Sequence, residues 1–454
     1  MGCPKSRHSS GPAEGRQGSD RGAGTALRLT VVRTGLSVSE AHEAILGVTP
    51  VLGAETVTTR GAQGRVLAEP VFSDRTLPPA DCSAMDGYAV HRADLVGASA
   101  SSPVSLPVAF EVAAGAQADR TLESEQAARI FTGAPMPPGA DAVVMQEDTK
   151  GREGDLVAFL VEPGPRDHVR DAGEDLCAGD RVLEPGTVLR SAQLGLLASL
   201  GRSVVAVHQA PRVAILSGGD ELVEPDGDLS GGRIASSNSY TLAAQCREIG
   251  AESIYLGIAR DDPGDIEAHL RAGLRADCIV SSAGVSVGDH DHVRPVLEKL
   301  GWRLDFWGVH IKPGYPFAFG GFGDDASDRR PLVFGLPGNP VSASVTFDQF
   351  VRPALRKMMG HKTLFRPTIR ARLGEALEKK AGRLHFVRVR LDRDEAGELV
   401  ASSTGSQSSG ILTSLTVAQG LLIFPAEETS LAVGQTVVVQ VLDDEVFGGH
   451  AAGF

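Results

Sequence analysis

The pattern of apolar positions along the chain changes character more than once. From Arg212 to Met359, short buried runs alternate with amphipathic stretches: RVAILS, then SYTLAAQCREI, SIYLGIA, a helix opened by Asp262 with Pro263 in its first turn, DCIVSSA, HVRPVLEKLG, PLVFGL and SASVTFDQFVRPALRKMM. Continuous apolar runs of this kind suit strands covered on both faces, and the amphipathic stretches supply the covers. The alternation predicts right-handed crossovers and a mostly parallel, doubly wound sheet. The first of these helices is expected to be capped at Asn238 or Ser239 and closed by Gly250.

On either side the rhythm differs. Ser37 to about Leu67 reads as a helix capped by Ser39 and followed by an extended arm. The runs SLPVAFEVAAG, RIFTGA, DAVVMQED and LVAFLVEP, separated by Pro and Gly, read as a small β-rich domain. RDAGEDLCAGDRVLEPGTVL is a second arm segment, expected to pack on the first, and SAQLGLLASLG is a helix ending at Gly201. Beyond Gly360 the helices stop, and TIRARLG, HFVRVRL, ELVASST, LLIFPA and TVVVQVL predict a compact, barrel-like β domain. The expected fold class is thus multidomain α/β plus β. Its divisions are a disordered tail (1–36), an arm (37–70 and 166–208), a β-rich insert (71–165), the α/β domain (209–361) and a C-terminal β domain (362–449).

Composition narrows the class. Hydrophobic content of 42% and charged content of 22% belong to a globular protein, and no apolar run is long enough to span a membrane. A formal charge of −13 argues against a general nucleic-acid binder, which needs a dominant basic surface. Any anionic ligand must therefore meet local cations. Cys3, Cys82, Cys177, Cys246 and Cys278 show no CxxC pair, which fits reduced thiols in the cytoplasm. The first 36 residues carry six Lys or Arg against two acids, and their glycines disfavour the amphipathic helix of a presequence.

Ligands of open parallel sheets bind outside the carboxyl ends of the strands, where loops converge and helix N-termini point outward. The loops at those ends are rich in chemistry. RVAIL runs into Ser217-Gly218-Gly219-Asp220-Glu221, YLGIA into Arg260-Asp261-Asp262, and DCIVSS into a loop holding Gly284, Ser286, Gly288, Asp289, His290 and Asp291. FWGVH leads to Lys312-Pro313-Gly314, and PLVFG to Leu336-Pro337-Gly338-Asn339-Pro340. Glycine loops can present backbone N–H groups to phosphate oxygens, while the acids beside them would repel a bare phosphate. The combination makes sense if Asp220, Glu221, Asp261 and Asp291 hold Mg²⁺, a hard cation that links carboxylates to substrate phosphate, with Lys312 adding fixed positive charge. A single acid after a strand is more often a helix cap, which is the assignment favoured for Asp262. His290 and His292 are assigned to solvent.

Gly284-Val285-Ser286-Val287-Gly288 also matches the GxSxG nucleophile elbow. A serine hydrolase built on Ser286 would need an Asp and a His on later strand-end loops, and His361 and His385 lie at or beyond the domain's end. P-loop, GxGxxG, HExxH and Cys-His zinc patterns are missing from the sequence.

The ordered motifs resemble the molybdopterin molybdenumtransferases, the MoeA and gephyrin C-terminal-domain family of molybdenum-cofactor biosynthesis. They are DCSAMDGYAV from Asp81, TGAPMPPGADAVV from Thr132, GED from Gly173, SGGDEL from Ser217, SSAGVSVGDHD from Ser281, KPG from Lys312 and GLPGNPVSAS from Gly335, and the resemblance runs from about Ser37 to Gly449. It implies a cytoplasmic homodimer with an active site shared between the α/β domain of one subunit and the insert of the other. The implied reaction inserts molybdate into adenylylated molybdopterin with Mg²⁺-dependent loss of AMP. By matched position, Asp220, Glu221, Asp261 and Asp291 surround metal and molybdate, and Lys312 and Arg170 bind anionic groups. Asp86, Thr132 and Asp175 are the insert-side and arm-side residues, Pro337 and Pro340 shape a loop at the cleft, and Ser409 is a C-terminal-domain position implicated in function. Ser217, Gly284, Ser286, Gly288, Gly338 and Asn339 complete the expected binding loops. The molybdopterin adenylyltransferase and molybdoenzyme apoproteins are the implied partners.

Four positions depart from the family pattern: Cys82 where Asn or Arg is common, Gly218 for Thr, Ala283 for Gly, and Tyr315 where bacterial members often carry Lys. Two of them, Ala283 and Tyr315, keep open a non-catalytic scaffold of the same fold. The pathway's adenylyltransferase shares the α/β module but is a single domain, so the flanking domains speak against it.

Overall fold

A computed structural model describes residues 32–282, 292–323 and 331–448. Arg212–Gly218 is apolar at the four consecutive positions before Ser217, and its side chains divide between two cores. Val213 and Ile215 join the cluster that includes Leu242, Cys246, Phe334 and Phe350, whereas Ala214 and Leu216 join Ile266, Leu270 and Leu297. Burial on both faces is what makes this a central strand. Cys278–Ser281 and Glu252–Ala259 flank it, both in parallel register.

The whole sheet has seven strands in the order Arg33–Leu36, Trp302–Val309, Ala318–Phe322, Leu332–Gly335, Cys278–Ser281, Arg212–Gly218, Glu252–Ala259. Ala318–Phe322 is antiparallel to both its neighbours, so the sheet is mixed rather than parallel throughout. That strand, AFGGF, arises because the KPG loop turns the chain straight back along the sheet, leaving no room for a helical crossover. The tail also ends earlier than the composition suggested, since Arg33–Leu36 adds a parallel edge strand to Trp302–Val309.

Helix boundaries follow local chemistry. The first helix, Val38–Val48, is capped by Ser37 and not Ser39: the Ser37 hydroxyl accepts the Glu40 N–H at 3.3 Å and the Glu40 carboxylate accepts the Ser37 N–H at 2.8 Å. Ser236 rather than Asn238 or Ser239 precedes Ser237–Glu248. Asp262 caps Pro263–Gly273 as expected, accepting the Asp265 N–H at 2.9 Å. The last helical stretch runs from Pro340 to Met358, with a π-type segment at Phe347–Val351.

Beyond it, Thr368–Leu373, Leu384–Arg393, Leu399–Ser403, Gly420–Phe424 and Thr436–Val441 close a five-stranded barrel, because Leu384–Arg393 pairs with both Leu399–Ser403 and Gly420–Phe424. At the junction Asp348 is buried and bound by Arg366 Nε at 2.9 and 2.6 Å, and the guanidinium of Arg366 also donates to Leu442 O. A buried charge is tolerated here because it is paired and hydrogen-bonded.

Contacts divide the described residues into two compact units, one built on residues 70–184 and 195–202, the other on 32–69, 185–194, 203–282, 292–323 and 331–448. The first contains a six-stranded sheet ordered Ala142–Met145, Gly87–Val90, Ala127–Ile130, Ser99–Val112, Leu156–Val161, Thr149–Glu153. Outgoing and returning arm segments pair within each unit: Ala54–Thr58 with Val204–His208, and Val71–Phe72 with Arg181–Leu183. Cys82, Cys246 and Cys278 are buried free thiols, as the spacing of the cysteines led one to expect.

His361 tests the packing at the end of the Pro340–Met358 stretch. Burial, with Arg356 and Arg352 beside it, pushes its pKa down to about 4, so it is neutral in the folded chain at pH 6 while an unfolded histidine takes up a proton. The stability it contributes is whole above pH ~6.5 and declines as the pH falls toward ~4. The urea midpoint of the wild type should therefore drop more steeply between pH 6.5 and 4.5 than that of His361→Gln; equal slopes would place His361 in solvent.

Candidate active site

The carboxyl ends of Arg212–Gly218, Glu252–Ala259, Cys278–Ser281, Trp302–Val309 and Leu332–Gly335 all open on one edge, because these strands share one direction. Two of the edge loops are tied to each other through their acids. The Asp220 N–H donates to Asp261 Oδ2 at 3.3 Å, and the Asp261 N–H donates to Asp220 Oδ1 at 3.1 Å. Gly219 N–H adds a bond to Ala259 O at 3.1 Å. Both carboxylates are exposed, and one oxygen of each is engaged by a neutral donor. Gly219 adopts φ +135°, and a side chain there would run into the Glu221 carboxylate, which lies back over the loop.

Ser217 behaves differently. It is fully buried and accepts the Ser236 hydroxyl at 3.1 Å, which in turn contacts the Ser239 hydroxyl at 3.1 Å. Its hydroxyl braces the loop from beneath instead of facing a ligand. Gly218 has no atom nearer than Ala259 O at 3.9 Å from the position of an added Cβ, so the fold does not require glycine there.

The GLPGNP loop has a buried base and an exposed tip: Leu336 and Pro337 are buried, Gly338 and Asn339 exposed, and Pro340 opens the helix. Asn238 Nδ2 donates to Gly338 O at 2.8 Å, holding the tip to the neighbouring helix. Lys312 is exposed, and Gly314 of its loop packs against Thr346 on the helix that Pro340 begins. Ser409 reaches the same place from the barrel, since its carbonyl accepts the Val341 N–H at 3.1 Å.

Sequence reasoning missed what holds that serine-rich loop. Arg388 is fully buried; its Nε donates to Ser414 Oγ at 2.7 Å and its Nη2 to the carbonyls of Ser406 and Ser408, each at 3.2 Å. The only hint was a run of serines and glycines whose carbonyls needed a donor.

In the other unit, the insert supplies a second polar locus. Asp86 Oδ1 accepts both the N–H and the hydroxyl of Thr132 at 2.8 Å, and these bonds, chiefly the backbone one, hold its carboxyl below the usual range. Asp86 is thus ionised at neutral pH, and whatever stability this contributes fades only as the pH falls through that lowered value. The TGAP loop is fastened to the SAMDG loop by Ser83 N–H to Ala134 O and Gly133 N–H to Ser83 O, and His168 O takes the Ala84 N–H. Gly87 must lack a side chain, because a Cβ would strike the carbonyl of Val144. Arg170, paired with Cys82 across a two-residue ladder, is exposed and bonded to Glu174 through Nε at 3.1 Å. Asp175 is exposed, its N–H on Leu77 O.

Gly284, Ser286, Gly288 and Asp291, with Ala283 and His290, lie outside the described residues. Among the described residues no three His, Cys, Asp or Glu side chains gather as a complete cation cage. Asp220 and Asp261 nevertheless suit magnesium, which takes one or two protein carboxylates and completes its shell with water and substrate phosphate. The two histidines available to a hydrolase offer no support for it: Arg356 contacts His361 and Lys312 acts on His385, each has a pKa near 4, and no carboxylate orients either among the described residues. A separate hollow of about 260 Å³ lined by Pro263, Glu267, His292 and Lys299 is electrostatically settled, since Glu267 is bound by Lys299 and Arg271, each at 2.7 Å. His292 is thus a half-buried lining residue, not a solvent one.

These elements define a multidomain α/β protein whose strand-end loops gather at one edge, extended by an insert and a barrel. Three stretches match family descriptions in order: "MoeA N-terminal region (domain I and II)" over residues 36–201, "Probable molybdopterin binding domain" over 214–357, and "MoeA C-terminal region (domain IV)" over 370–442. A molybdopterin molybdenumtransferase of a Nostoc species is 39% identical over 416 residues, spanning 89% of this chain and 93% of that protein. Molybdopterin molybdenumtransferase 2 of Mycobacterium tuberculosis is 40% identical over 390 residues, spanning 85% and 94%. The crystal structure of the molybdopterin biosynthesis moeA protein from Pyrococcus horikoshii OT3 is similar with a TM-score of 0.76 at 31% identity, covering 90% of this chain and 100% of that one. The chain belongs to the molybdopterin molybdenumtransferase (MoeA) family.

The reciprocal Asp220–Asp261 bonds make a local forecast. Asp261→Ala removes the acceptor of the Asp220 N–H, worth about 1 kcal/mol, so that amide should exchange with deuterium roughly fivefold faster. Asp261→Asn keeps an acceptor and should leave the rate near wild type. Identical rates in all three proteins would mean that the two loops are not coupled in solution.

Proposed function

We propose that the chain acts in molybdenum-cofactor biosynthesis as a molybdenumtransferase, inserting molybdate into adenylylated molybdopterin with release of AMP. The observation that carries this is the pair of exposed carboxylates, Asp220 and Asp261, set on the same sheet edge as Lys312 and the GLPGNP loop. Acids alone would repel an anionic substrate and a lysine alone would not organise a phosphoanhydride. Together they match a ligand that is both anionic and metal-associated.

Asp220 and Asp261 would hold Mg²⁺, with Glu221 and Asp291 as the further acids of the set. The ion, when bound, supplies neutralisation of charge on the phosphoanhydride and on an oxygen nucleophile. The chain's own part is to place groups. Lys312 and Arg170 bind anions, and Asn339 and Ser409 border the loop that opens the Pro340 helix. Asp86, kept ionised by Thr132, and Asp175 serve as the insert-side and arm-side polar residues.

The domain division expected from the sequence, a cytoplasmic location and a homodimer with a shared active site belong to the same proposal. So does hand-over between the pathway's adenylyltransferase and molybdoenzyme apoproteins. No described helix is long and apolar enough to cross a membrane.

The test is direct. The full chain incubated with adenylylated molybdopterin, Mg²⁺ and molybdate should release AMP in proportion to cofactor formed. Tight binding of the nucleotide-pterin without AMP release at any molybdate level would instead make the chain a scaffold. Asp86→Asn retains an oxygen for Thr132 but loses the charge; it should cut AMP release about tenfold or more while changing stability by less than about 0.5 kcal/mol, as for other exposed positions. Asp291→Asn should abolish release with a similarly small stability change, and a large drop in melting temperature would make Asp291 structural.

A further inference from the structure

Arg129 interrupts an apolar segment of the insert sheet. Its neighbours Ala127, Ala128 and Ile130 are fully buried, while Arg129 is half-buried, with Tyr88 opposite it on one adjoining strand and Glu111 on the other. The guanidinium carbon lies 5.1 Å from the centroid of the Tyr88 ring and 5.0 Å from that of Phe131. Tyr88 is buried and meets Phe159 edge-on at 5.8 Å, so this platform belongs to the core of the insert. Rings placed in this way orient a guanidinium and leave its planar fork of N–H groups for oxygen acceptors.

The fork is aimed at the loop that carries Asp86. Arg129 Nη1 donates to Gly87 O at 3.0 Å, and Nη2 donates to Gln146 Oε1 at 2.7 Å. Gln146 in turn donates its N–H to Asp86 O at 3.1 Å. The carbonyls of Asp86 and of the next residue are therefore both held, the first through Gln146 and the second by Arg129 directly. Thr132 takes Oδ1 of the same carboxylate with its N–H and its hydroxyl. With the main chain and one carboxylate oxygen fixed, the direction of the other oxygen is fixed too. Both acceptors of Arg129 are neutral, and its charge adds to the Thr132 bonds in holding the Asp86 carboxyl below its usual range. The acids on adjoining elements are Glu111, across the strand from Arg129, and Glu147, which accepts Gln146 Nε2 at 3.3 Å.

We propose that Arg129 is the positioning residue of Asp86: its fork, set against two aromatic rings, holds the main chain on both sides of the Asp86 carbonyl and so fixes where the carboxylate points. The inference rests on the function proposed above for the part Asp86 plays in the reaction, and on the insert's geometry alone for the placement.

Hydrogen exchange of the Thr132 amide and the titration of a carbon-labelled Asp86 carboxyl, followed by NMR on the full chain, test the placement without turnover. Arg129→Met keeps an apolar stem but has neither fork nor charge. It should speed exchange of the Thr132 amide by about tenfold and move the Asp86 titration to higher pH, because a carboxylate that loses a neighbouring cation protonates more readily. Arg129→Lys should return the titration toward wild type but not the exchange rate, since one ammonium cannot serve both acceptors as a planar fork does. Gln146→Ala alters an exposed side chain and keeps the test open if Arg129→Met does not fold; it should speed the same amide by about threefold. With adenylylated molybdopterin, Mg²⁺ and molybdate, Arg129→Met should lower kcat for AMP release about tenfold with KM nearly unchanged. A residue that only supports the fold would lower the melting temperature and leave the Asp86 titration and kcat of the folded chain at wild-type values, which overturns the proposal. Wild-type exchange of the Thr132 amide in both Arg129→Met and Gln146→Ala overturns it equally. Wild-type chain that releases no AMP sinks only the transferase reading, because exchange and titration still report on Arg129.

Discussion

The parallel pairing of Arg212–Gly218 with both its neighbours is the constraint on which the site depends. Strands that share a direction and are covered by helices on both faces present all their carboxyl ends at one edge. Chemistry placed after any one of them is delivered to the same place. The acids of two loops are then close enough to cap each other's backbone, as Asp220 and Asp261 do. Those bonds use neutral N–H donors, so the two loops are tied without a basic side chain between them. The antiparallel strand Ala318–Phe322 interrupts the series, yet Trp302–Val309 still points the same way and delivers Lys312 to the edge.

The barrel and the insert extend this arrangement in different ways. The barrel is joined to the α/β domain by the buried Asp348–Arg366 pair, so its serine-rich loop can lie against the start of the Pro340 helix. Arg388 holds that loop from beneath, and Arg383 lies on Tyr315 of the KPG loop. In the insert, a compact carboxylate–threonine pair is built into two loops that are hydrogen-bonded to each other, which fixes the Asp86 side chain without burying it. The bond from the Thr132 backbone thus positions an exposed charged group, which preorganises a polar locus.

Much of this was legible in the sequence because the signals were local. The alternation of apolar runs and helices located the α/β domain, Asp262 before Pro263 announced its cap, and the order of the glycine and acid motifs carried the family resemblance. What escaped depended on contacts distant along the chain. Ala318–Phe322 is short and glycine-bearing, so only its pairing with strands on either side makes it a strand. Ser37 and Ser39 are both good caps, and the reciprocal bond of Glu40 decides between them. Ser217 has the same residue type as a ligand-binding serine; its burial under Ser236 is a property of the tertiary fold. Tyr315 read as a lost charge, and only the return of Leu384–Arg393 beside Ile311–Lys312 shows another cation on its ring.

The central claim is that the strand-end edge receives molybdate. Crystals grown with molybdate, with diffraction collected on both sides of the molybdenum absorption edge, locate the metal independently of turnover. The account predicts one dominant anomalous peak at this edge, bordered by the Asp220, Asp261, Lys312 and GLPGNP loops. A dominant peak away from that edge, with none beside those loops at saturating molybdate, would contradict it.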